Sequence, residues 1–415
     1  MPAKAGLQFF SIGNNTMKVI GLMSGTSADG IDAALVEIDR DPLRLRLLAF
    51  EIFPYPPTFQ KRLLDLAAGS PRSVALVCHL NAEMGERLAD AVTRLAQQSD
   101  TPLEQIMLIG SHGQTVCHLP VPKRVGRWRV RSTLQIGEPS IIAERTGVTT
   151  ISDFRARDMA AGGEGAPLTP ALHYILFSDA ARSRAVVNIG GISNITALPA
   201  GGAMAETAAF DMCPGNMLID GIVDALTHGR QRMDRNGRRA ARGHVDTDLL
   251  RSLMRHPFIR RPPPKSTGRE SFGPEAVARI LARGGHLPQD DLVATVTAFT
   301  ADAIAENLRR HVKGSVDEML VCGGGGRNPT LMARLAHAVA PTTVRTTDDL
   351  GYPGRAIEAM AFAMLAYHTW QGEAGNIPTV TGARRPVILG KIVPGRLPIQ
   401  GSLLQNSLVV SFRTQ

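Results

Sequence analysis

Two segments of the sequence follow the same pattern, in which a short apolar run, a loop of small residues and a second apolar run succeed one another. The first consists of Val19–Met23, Ser24–Gly30 and Ile31–Ile38, and the second of Ala185–Ile189, Gly190–Asn194 and Ile195–Leu198. Short apolar runs that flank Gly and Ser are typical of two β-strands joined by a tight turn. Each hairpin opens a stretch of mixed strand and helix patterns. The sequence therefore predicts two related α/β halves.

The pattern between and after the hairpins alternates helices with short strands. Apolar residues recur at helical spacing in four segments. These helices are Thr58–Ala68, Ser73–Gln98, Leu292–Val312 and Thr330–Val339. Asn328 can cap the last of them, and Pro329 suits its first position. The short strand Ala208–Phe210 is expected to end at Asp211.

Length and composition are those of an ordinary globular protein. The chain has 415 residues, of which 44% are apolar and 20% are charged. At roughly 100–200 residues per domain, this length fits two or three domains. The sequence contains no run that approaches the roughly 18 consecutive apolar residues of a membrane span. We expect no membrane partner.

The excess of positive charge is scattered along the chain. Lys and Arg number 46 against 37 Asp and Glu, which gives a net charge of +9. The densest basic stretches are Pro122–Arg131, Arg230–Arg242 and Arg255–Lys265, and the last two offer no series of interleaved aromatic residues for stacking on bases, since they contain Phe258 alone. We expect no nucleic-acid partner, although a nucleic-acid binder stays open as an alternative that steep salt dependence would reveal.

The cysteines and the N-terminus indicate a reducing compartment. Cys78, Cys117, Cys213 and Cys322 form no C-x-x-C pair, which gives a zinc site or a thioredoxin-type site little support. Residues 1–16 lack the apolar core and cleavage site of a signal peptide. We therefore expect a cytoplasmic protein.

Three loops have a composition that suits phosphate binding. Small residues allow the backbone to approach a ligand, and clustered N–H groups favour anions. The candidate ligands are Gly21, Ser24, Gly25, Thr26, Ser27 and Asp29 in the first loop, Gly190, Gly191 and Asn194 in the second, and Gly323, Gly324 and Gly325 in the third. Asp29 could hold Mg²⁺ through water, or it could simply form the turn. Neither a Walker A pattern nor a convincing Rossmann fingerprint is present, so a nucleotide site here is of another type.

Other candidates carry acid–base or ionic chemistry. Asp211 ends an apolar strand, where a carboxylate faces the crevice of an open α/β sheet and can act as a general base; capping the next turn is the alternative. Arg155, close to Asp153, could orient an anion or form a salt-bridged corner. His112 could bind a substrate hydroxyl or satisfy a buried backbone group. Lys265–Glu270 could bind an anionic substituent or form an exposed loop.

Taken in order, these motifs resemble those of the anhydro-N-acetylmuramic acid kinase family over about residues 17–390. The motifs are Gly21–Asp32, Gly110–Thr115, Gln135–Gly137, Asp153–Arg155, Gly163–Leu168, Asn188–Asn194, Lys265–Glu270, Val321–Gly325 and Val380–Ala383. The resemblance implies a two-domain actin/hexokinase-like (ribonuclease H-like) α/β fold with an interdomain cleft. It implies an N-terminal domain at 17–184, a C-terminal domain at 185–390, and terminal extensions at 1–16 and 391–415.

The resemblance also implies an activity. The family's reaction uses ATP and Mg²⁺ to hydrolyse the 1,6-anhydro ring of anhydro-N-acetylmuramic acid and to phosphorylate O6, in the recycling of peptidoglycan sugars. Asp211 matches the catalytic carboxylate, and Glu358 matches an acid of the substrate cleft, beside Asp153, Arg155 and His112 as further substrate ligands. The family tends to dimerise. A related kinase for another sugar and an actin-like ATPase or nucleotide sensor remain alternatives.

Three positions depart from the family pattern. Cys213 stands where the family has Gly, Ala28 replaces Leu, and Glu164 replaces Gln. If the position of Cys213 requires a positive φ, its Cβ costs on the order of 1 kcal/mol and reshapes the turn beside Asp211.

Overall fold

A computed structural model describes residues 16–25, 27–68 and 74–396. The strands are β1 Thr16–Ser24, β2 Gly30–Asp39, β3 Arg44–Pro54, β4 Ile106–Val125, β5 Trp128–Ile136, β6 Thr150–Ser152, β7 Arg184–Ile189, β8 Ile192–Leu198, β9 Ala208–Pro214, β10 Glu318–Cys322, β11 Thr343–Thr346 and β12 Lys391–Val393. The helices are α1 Pro57–Ala67, α2 Val74–Gln98, α3 Pro139–Thr146, α4 Phe154–Ala160, α5 Pro170–Phe177, α6 Asn216–Leu226, α7 Arg238–Arg242, α8 Thr247–Met254, α9 Pro257–Arg260, α10 Arg269–Phe272, α11 Pro274–Gly284, α12 Gln289–His311, α13 Pro329–Ala338, α14 Ala356–Gln371 and α15 Pro378–Thr381.

The first half of the chain builds a mixed sheet around β1. Its strand order is β12-β6-β4-β1-β2-β3, and β5 pairs with β4. The β1–β2 hairpin is antiparallel, with Met23 opposite Asp32 at its tip, whereas β1 and β4 run parallel. The long apolar runs in β1 and β2 are buried because helices cover the sheet. The first predicted hairpin is confirmed.

The second half builds a smaller sheet on the same plan. Its order is β11-β10-β7-β8-β9, with β7 and β8 antiparallel and β7 and β10 parallel. Helix α12 lies in the core of this half and buries residues along most of its length. The second predicted hairpin and the two α/β halves are therefore confirmed.

The chain returns to the first sheet after completing the second. Helix α14 packs on β1, β2 and β4, and β12 pairs antiparallel with β6. Residues 391–393, which the sequence analysis assigned to a C-terminal extension, thus complete the first sheet. One apolar cluster contains residues of β1, β2 and α14 together with Val186 and Leu320 of the second sheet. The domain ranges 17–184 and 185–390 stay predictions.

Local signals in the sequence located most helices well. The Asn328 side chain accepts a hydrogen bond from Leu331 N, and Pro329 begins α13, as predicted. The strand expected to end at Asp211 instead continues to Pro214, because Met212 and Cys213 are buried and β9 keeps pairing with β8 past a bulge. Within residues 16–25, 27–68 and 74–396, no helix combines the length and apolar character needed to cross a bilayer.

Candidate active site

The hydroxyl of Ser24 braces the first hairpin from inside. Ser24 is buried at the end of β1, where its Oγ donates to Gln114 Oε1 at 2.6 Å and accepts from the Tyr55 hydroxyl at 2.8 Å. Both partners come from neighbouring elements of the first half, so Ser24 fixes the position of the loop. Its predicted contact with phosphate stays a prediction. Thr26, predicted as a further ligand, lies outside the described residues.

The outward part of the same loop consists of Gly25, Ser27 and Asp29. Ser27 Oγ donates to Asp29 Oδ1 at 2.8 Å, and the Asp29 side chain is 53% exposed. Gly21, also predicted to hold phosphate, lies inside β1 against the backbone of α14. The face open to a ligand is therefore formed by Gly25, Ser27 and Asp29, whereas Gly21 permits close packing.

The second hairpin is tied to the start of α6. Asn216 N donates to Gly190 O at 2.8 Å, next to Gly191 in the turn between β7 and β8. Asn194 follows in β8, where it lies opposite Asp211 in the register of β8 and β9. The second predicted phosphate loop and the predicted catalytic carboxylate are consequently neighbours on one sheet.

The glycine loop after β10 packs against the end of β7. Gly323 has a φ of +80°, and a Cβ at this position would overlap Asn188 Oδ1. A Cβ at Gly325 would overlap the Ile189 side chain, and one at Gly324 would approach Asn216 Nδ2 at 3.4 Å. The glycines thus let this loop lie directly beside the second hairpin.

Asp211 is held by one of its two carboxylate oxygens. Its Oδ2 accepts from Ser266 Oγ and from Thr267 N, both at 3.0 Å, and its backbone N donates to Lys265 O at 3.2 Å. For Oδ1 we find no partner among residues 16–25, 27–68 and 74–396. Burial raises the pKa of the carboxyl group, and the two hydrogen bonds to Oδ2 oppose this shift.

A buried lysine supports the loop that holds Asp211. Lys265 is 5% exposed, and its Nζ donates to Asn307 Oδ1 at 2.6 Å and to Phe258 O at 3.0 Å. Burial lowers the pKa of Lys265 to about 8. Asn307 Nδ2 in turn donates to Met212 O at 3.1 Å. The lysine predicted to bind an anion or to lie on an exposed loop therefore anchors the scaffold under the carboxylate instead.

Cys213 fits its position without backbone strain. It lies in β9 opposite Ser193, it is fully buried, and it is not among the described residues with positive φ. Its Sγ lies 3.8 Å from Thr300 O, and burial raises the pKa of the thiol to about 12. The expected distortion at this departure from the family pattern does not arise.

His112 and Arg155 form a buried pair. Arg155 Nε donates to His112 Nε2 at 3.0 Å, and Arg155 Nη1 donates to Gly165 O at 2.7 Å. Because a guanidinium only donates, Nε2 carries the lone pair, and Nδ1 carries the proton that it gives to Gly113 O at 2.9 Å. Burial and the neighbouring Arg155 hold the pKa of His112 well below its usual range. The imidazole is neutral.

The charge of Glu358, on α14, interacts with that of Arg155 in this pair. Burial raises the pKa of Glu358, and Arg155 opposes this shift. Burial also lowers the pKa of Arg155 to about 10, against the fields of Glu358 and Asp158. Asp158, which the sequence analysis did not select, accepts from Gly165 N at 2.8 Å and Thr381 Oγ1 at 2.7 Å and so fixes the loop that Arg155 contacts.

A cavity of about 470 Å³ lies beside His112. Asp153, the residue before α4, lines it with a φ of +60° and is ion-paired with Lys391. The buried Ser111 also lines it, and Ser111 Oγ has no hydrogen-bond partner within the described part of the chain. Side chains of α2, β4 and β5 complete the wall. The cavity thus has room for a small polar ligand beside two of the predicted substrate residues, His112 and Asp153.

A comparison with known protein families matches nearly the whole chain. The model of anhydro-N-acetylmuramic acid kinase matches residues 17–395. The chain belongs to the anhydro-N-acetylmuramic acid kinase family. Relatives of that name from Caldanaerobacter subterraneus subsp. tengcongensis and Gloeobacter violaceus are 45% and 46% identical, over 90% of this chain and 96% and 98% of theirs. The two-sheet α/β structure agrees with the actin/hexokinase-like fold expected for this family.

The solved structures found to be similar are more distant. Component A of the (R)-2-hydroxyglutaryl-CoA dehydratase of Acidaminococcus fermentans superimposes with a TM-score of 0.43 at 12% identity, over 85% of this chain and 99% of that one. A similarity at this level carries no inference about activity.

The residues predicted from the family motifs fall into two groups. One group surrounds the hairpins, the glycine loop and Asp211, and the other consists of His112, Arg155, Asp153 and Glu358. Within the three described ranges no hydrogen bond or ion pair joins Asp211 to the second group. Sequence inspection missed Asn307 and Asp158, since nothing local in the sequence distinguishes these polar residues from surface ones.

A carboxylate on α6 gives a prediction for stability in this family member. Burial, with a contribution from Asp234, raises the pKa of Asp220 from 3.8 to about 7. A raised carboxyl pKa means that stability is lost as pH rises from about 4 through 7, because the native state must then ionise a buried group. Asp220→Asn should therefore raise the free energy of unfolding by on the order of 3 kcal/mol at pH 8, and not near pH 4.

Urea unfolding at both pH values measures this difference. Asp224→Asn, an exposed position on the same helix, is the matched control and should leave the pH dependence unchanged. Equal effects of the two substitutions at pH 8 would contradict the electrostatic origin of the difference.

Proposed function

We propose that the protein is an ATP-dependent kinase that hydrolyses the 1,6-anhydro ring of anhydro-N-acetylmuramic acid and phosphorylates O6, giving N-acetylmuramic acid 6-phosphate and ADP. The observation that carries this proposal is the carboxylate of Asp211, fixed through Oδ2 and unpartnered at Oδ1 within the described residues. A base needs one oxygen to orient it and another to receive the proton. The family name of the relatives supports the substrate.

In the proposed reaction, ring hydrolysis and phosphoryl transfer form one connected displacement. Asp211 Oδ1 takes a proton from a water molecule whose oxygen forms a bond to C1 of the sugar. The C1–O6 bond breaks, and its electron pair remains on O6, which bonds to the γ-phosphorus as the bond to the ADP oxygen breaks. Ring opening thus supplies the nucleophile. Positioning and charge neutralisation account for most of the remaining rate.

The other predicted residues then bind the two substrates. The 470 Å³ cavity would take the sugar, with Asp153 and His112 in its wall. Arg155, which contacts His112, and Glu358 remain the further predicted substrate ligands. Both ring nitrogens of His112 already have hydrogen-bond partners, so in this arrangement His112 would offer the sugar the carbon edge of its ring and would hold Arg155 in position. The two hairpins and the glycine loop would hold ATP.

Mg²⁺ fits the first hairpin. In kinases this ion is held by one or two carboxylates together with phosphates and waters, so a cluster of protein ligands is not required. Asp29 has an exposed carboxylate at the hairpin tip and would supply that ligand. When bound there, the ion neutralises charge on the transferred phosphoryl group. A cytoplasmic homodimer that acts in peptidoglycan recycling is part of the same proposal.

The origin of the oxygen on C1 tests the chemistry. In ¹⁸O-labelled water, product quenched within the first turnovers should carry the label at C1 and none at O6 or in the phosphate. Unlabelled product kept in the same water for the same time measures spontaneous exchange. Label absent from C1 after this correction would overturn the proposed hydrolysis. ATP turnover that needs no sugar would instead favour an actin-like ATPase.

A further inference from the structure

The loops of the two hairpins, both predicted to bind phosphate, contain no positive charge. Neither the first loop, Ser24–Gly30, nor the second, Gly190–Asn194, includes Lys or Arg, and the first contributes Asp29 with Asp32 just beyond it. A nucleoside triphosphate brings three to four negative charges of its own. Backbone N–H groups and one metal ion neutralise only part of this charge, and the rest would lie next to protein carboxylates. A cation from elsewhere in the fold is therefore required.

Arg355 lies where such a cation is needed. It immediately precedes α14, and its Nη2 donates to Asp32 Oδ1 at 3.0 Å and lies 3.7 Å from Asp29 Oδ2. Its side chain is 28% exposed. A guanidinium has five N–H donors. Only Nη2 has a hydrogen-bond or ion-pair partner within the described residues, so donors remain for a ligand.

The other side of Arg355 meets the glycine loop. A cavity of about 220 Å³ is lined by Gly323, Gly326, Thr346, Asp348 and Arg355, among others. A Cβ built on the preceding Gly354 would lie 3.0 Å from the backbone N of Gly323. Arg355 thus bridges the first hairpin and the glycine loop. In the proposed function both of these loops hold ATP.

We propose that the Arg355 guanidinium binds the β- and γ-phosphates of the nucleotide while Asp32 holds it in place. This inference rests on the nucleotide site of the proposed function and adds a protein cation that lies between its two loops. Arginine suits the role because its planar fork matches phosphate oxygens. The carboxylate of Asp32 holds the guanidinium group of Arg355 at the hairpin before the nucleotide binds.

The charges around Arg355 agree with this role. Burial raises the pKa of Asp32 to about 6; Arg355 opposes this shift, and Asp29 and Glu358 add to it. The arginine therefore stands among three carboxylates, two of them on the hairpin. Without it, the first hairpin would repel a polyphosphate.

A series of nucleotides with increasing numbers of phosphates tests the inference without any sugar. Binding of adenosine, AMP, ADP and ATP to the full chain is measured by isothermal titration calorimetry for the unmodified protein, Arg355→Gln and Arg355→Lys. We expect Arg355→Gln to weaken ATP by about 10- to 100-fold and ADP less, and to leave AMP within about twofold. Arg355→Lys should retain part of the affinity, because it keeps the charge and loses the fork.

Arg345→Gln is the matched control. Arg345 lies in the neighbouring β11, pairs with Glu318 and does not line the cavity, so its replacement should leave the whole series unchanged. An equal loss for all four nucleotides, or no loss for ATP, in Arg355→Gln would overturn the inference and leave the proposed function intact. If the unmodified protein binds none of them, the proposed function fails as well. Should Arg355→Gln fail to fold, the Arg355→Lys and Asp32→Asn variants replace it. If both bind adenosine, AMP, ADP and ATP with the affinities of the unmodified protein, the inference is overturned.

Discussion

Replacing Asp211 by Asn is expected to lower turnover of the anhydrosugar by about 10²- to 10⁴-fold while ATP binding stays within about twofold. The amide keeps the size of the side chain and can still accept from Ser266 Oγ and Thr267 N through its oxygen, so the loop should keep its shape. The amide nitrogen that replaces Oδ1 cannot accept a proton. Steady-state kinetics, together with calorimetric titration of ATP, separate the two effects.

Asp248→Asn is the control for this substitution. Asp248 is an exposed residue at the start of α8, and among the residues that the structure describes its carboxylate pairs with Arg251 alone, so its loss should change neither rate nor binding. Undiminished turnover in Asp211→Asn would remove Asp211 as the base. Loss of ATP binding together with turnover would point to a collapsed loop.

The pH profile gives the same assignment an independent check. Burial raises the pKa of Asp211, so the ionised form that can take a proton is lost at a higher pH than for an exposed carboxyl group. The turnover number of the unmodified enzyme should therefore fall as the pH decreases through that raised pKa. The residual activity of Asp211→Asn should lack this acidic limb. If the turnover number of both proteins fell over the same acidic pH range, the titrating group would be one other than Asp211.

The elements predicted correctly from the sequence are those that depend on local patterns. Apolar runs interrupted by Gly and Ser gave both hairpins, and Asn328 followed by Pro329 gave the start of α13. These signals lie within a few residues of the element they specify. The family motifs supported Asp211, which its position at a strand end had already suggested, and added Glu358; the roles of both acids stay predictions.

The features that the sequence did not reveal depend on contacts between distant segments. Ser24 has the sequence context of a phosphate ligand, yet Gln114 and Tyr55 already bind its hydroxyl. Lys265 has the context of an exposed loop, yet its ammonium group reaches Asn307 on α12. No pattern within a loop reveals which side chain from another element will pack beside it. Only the folded structure therefore shows which residues of a motif are free to contact a ligand and which support the fold.

Two glycines of the first hairpin differ clearly in their surroundings: one is packed against a helix, and the other is open to a ligand. A Cβ added to Gly21 would overlap the backbone oxygen of Ala359 and lie 2.7 Å from Ala363 N, so α14 would have to move off β1. Gly25 has no heavy atom of the described residues, other than its chain neighbours, within 4 Å of such a Cβ, and its φ is not positive.

Gly21→Ala is therefore expected to lower the free energy of unfolding by about 3 kcal/mol or more, because neither backbone can yield without separating a buried helix from the sheet. Gly25→Ala should change it by less than about 0.5 kcal/mol. Urea unfolding of both variants measures the contrast. Gly110→Ala repeats it, since a Cβ there would lie 2.8 Å from Ala366 Cβ of the same helix. If Gly21→Ala proved as stable as Gly25→Ala, the close approach of α14 to β1 would be refuted; if both held their stability and only nucleotide binding fell in Gly21→Ala, Gly21 would be a ligand residue as the sequence first suggested.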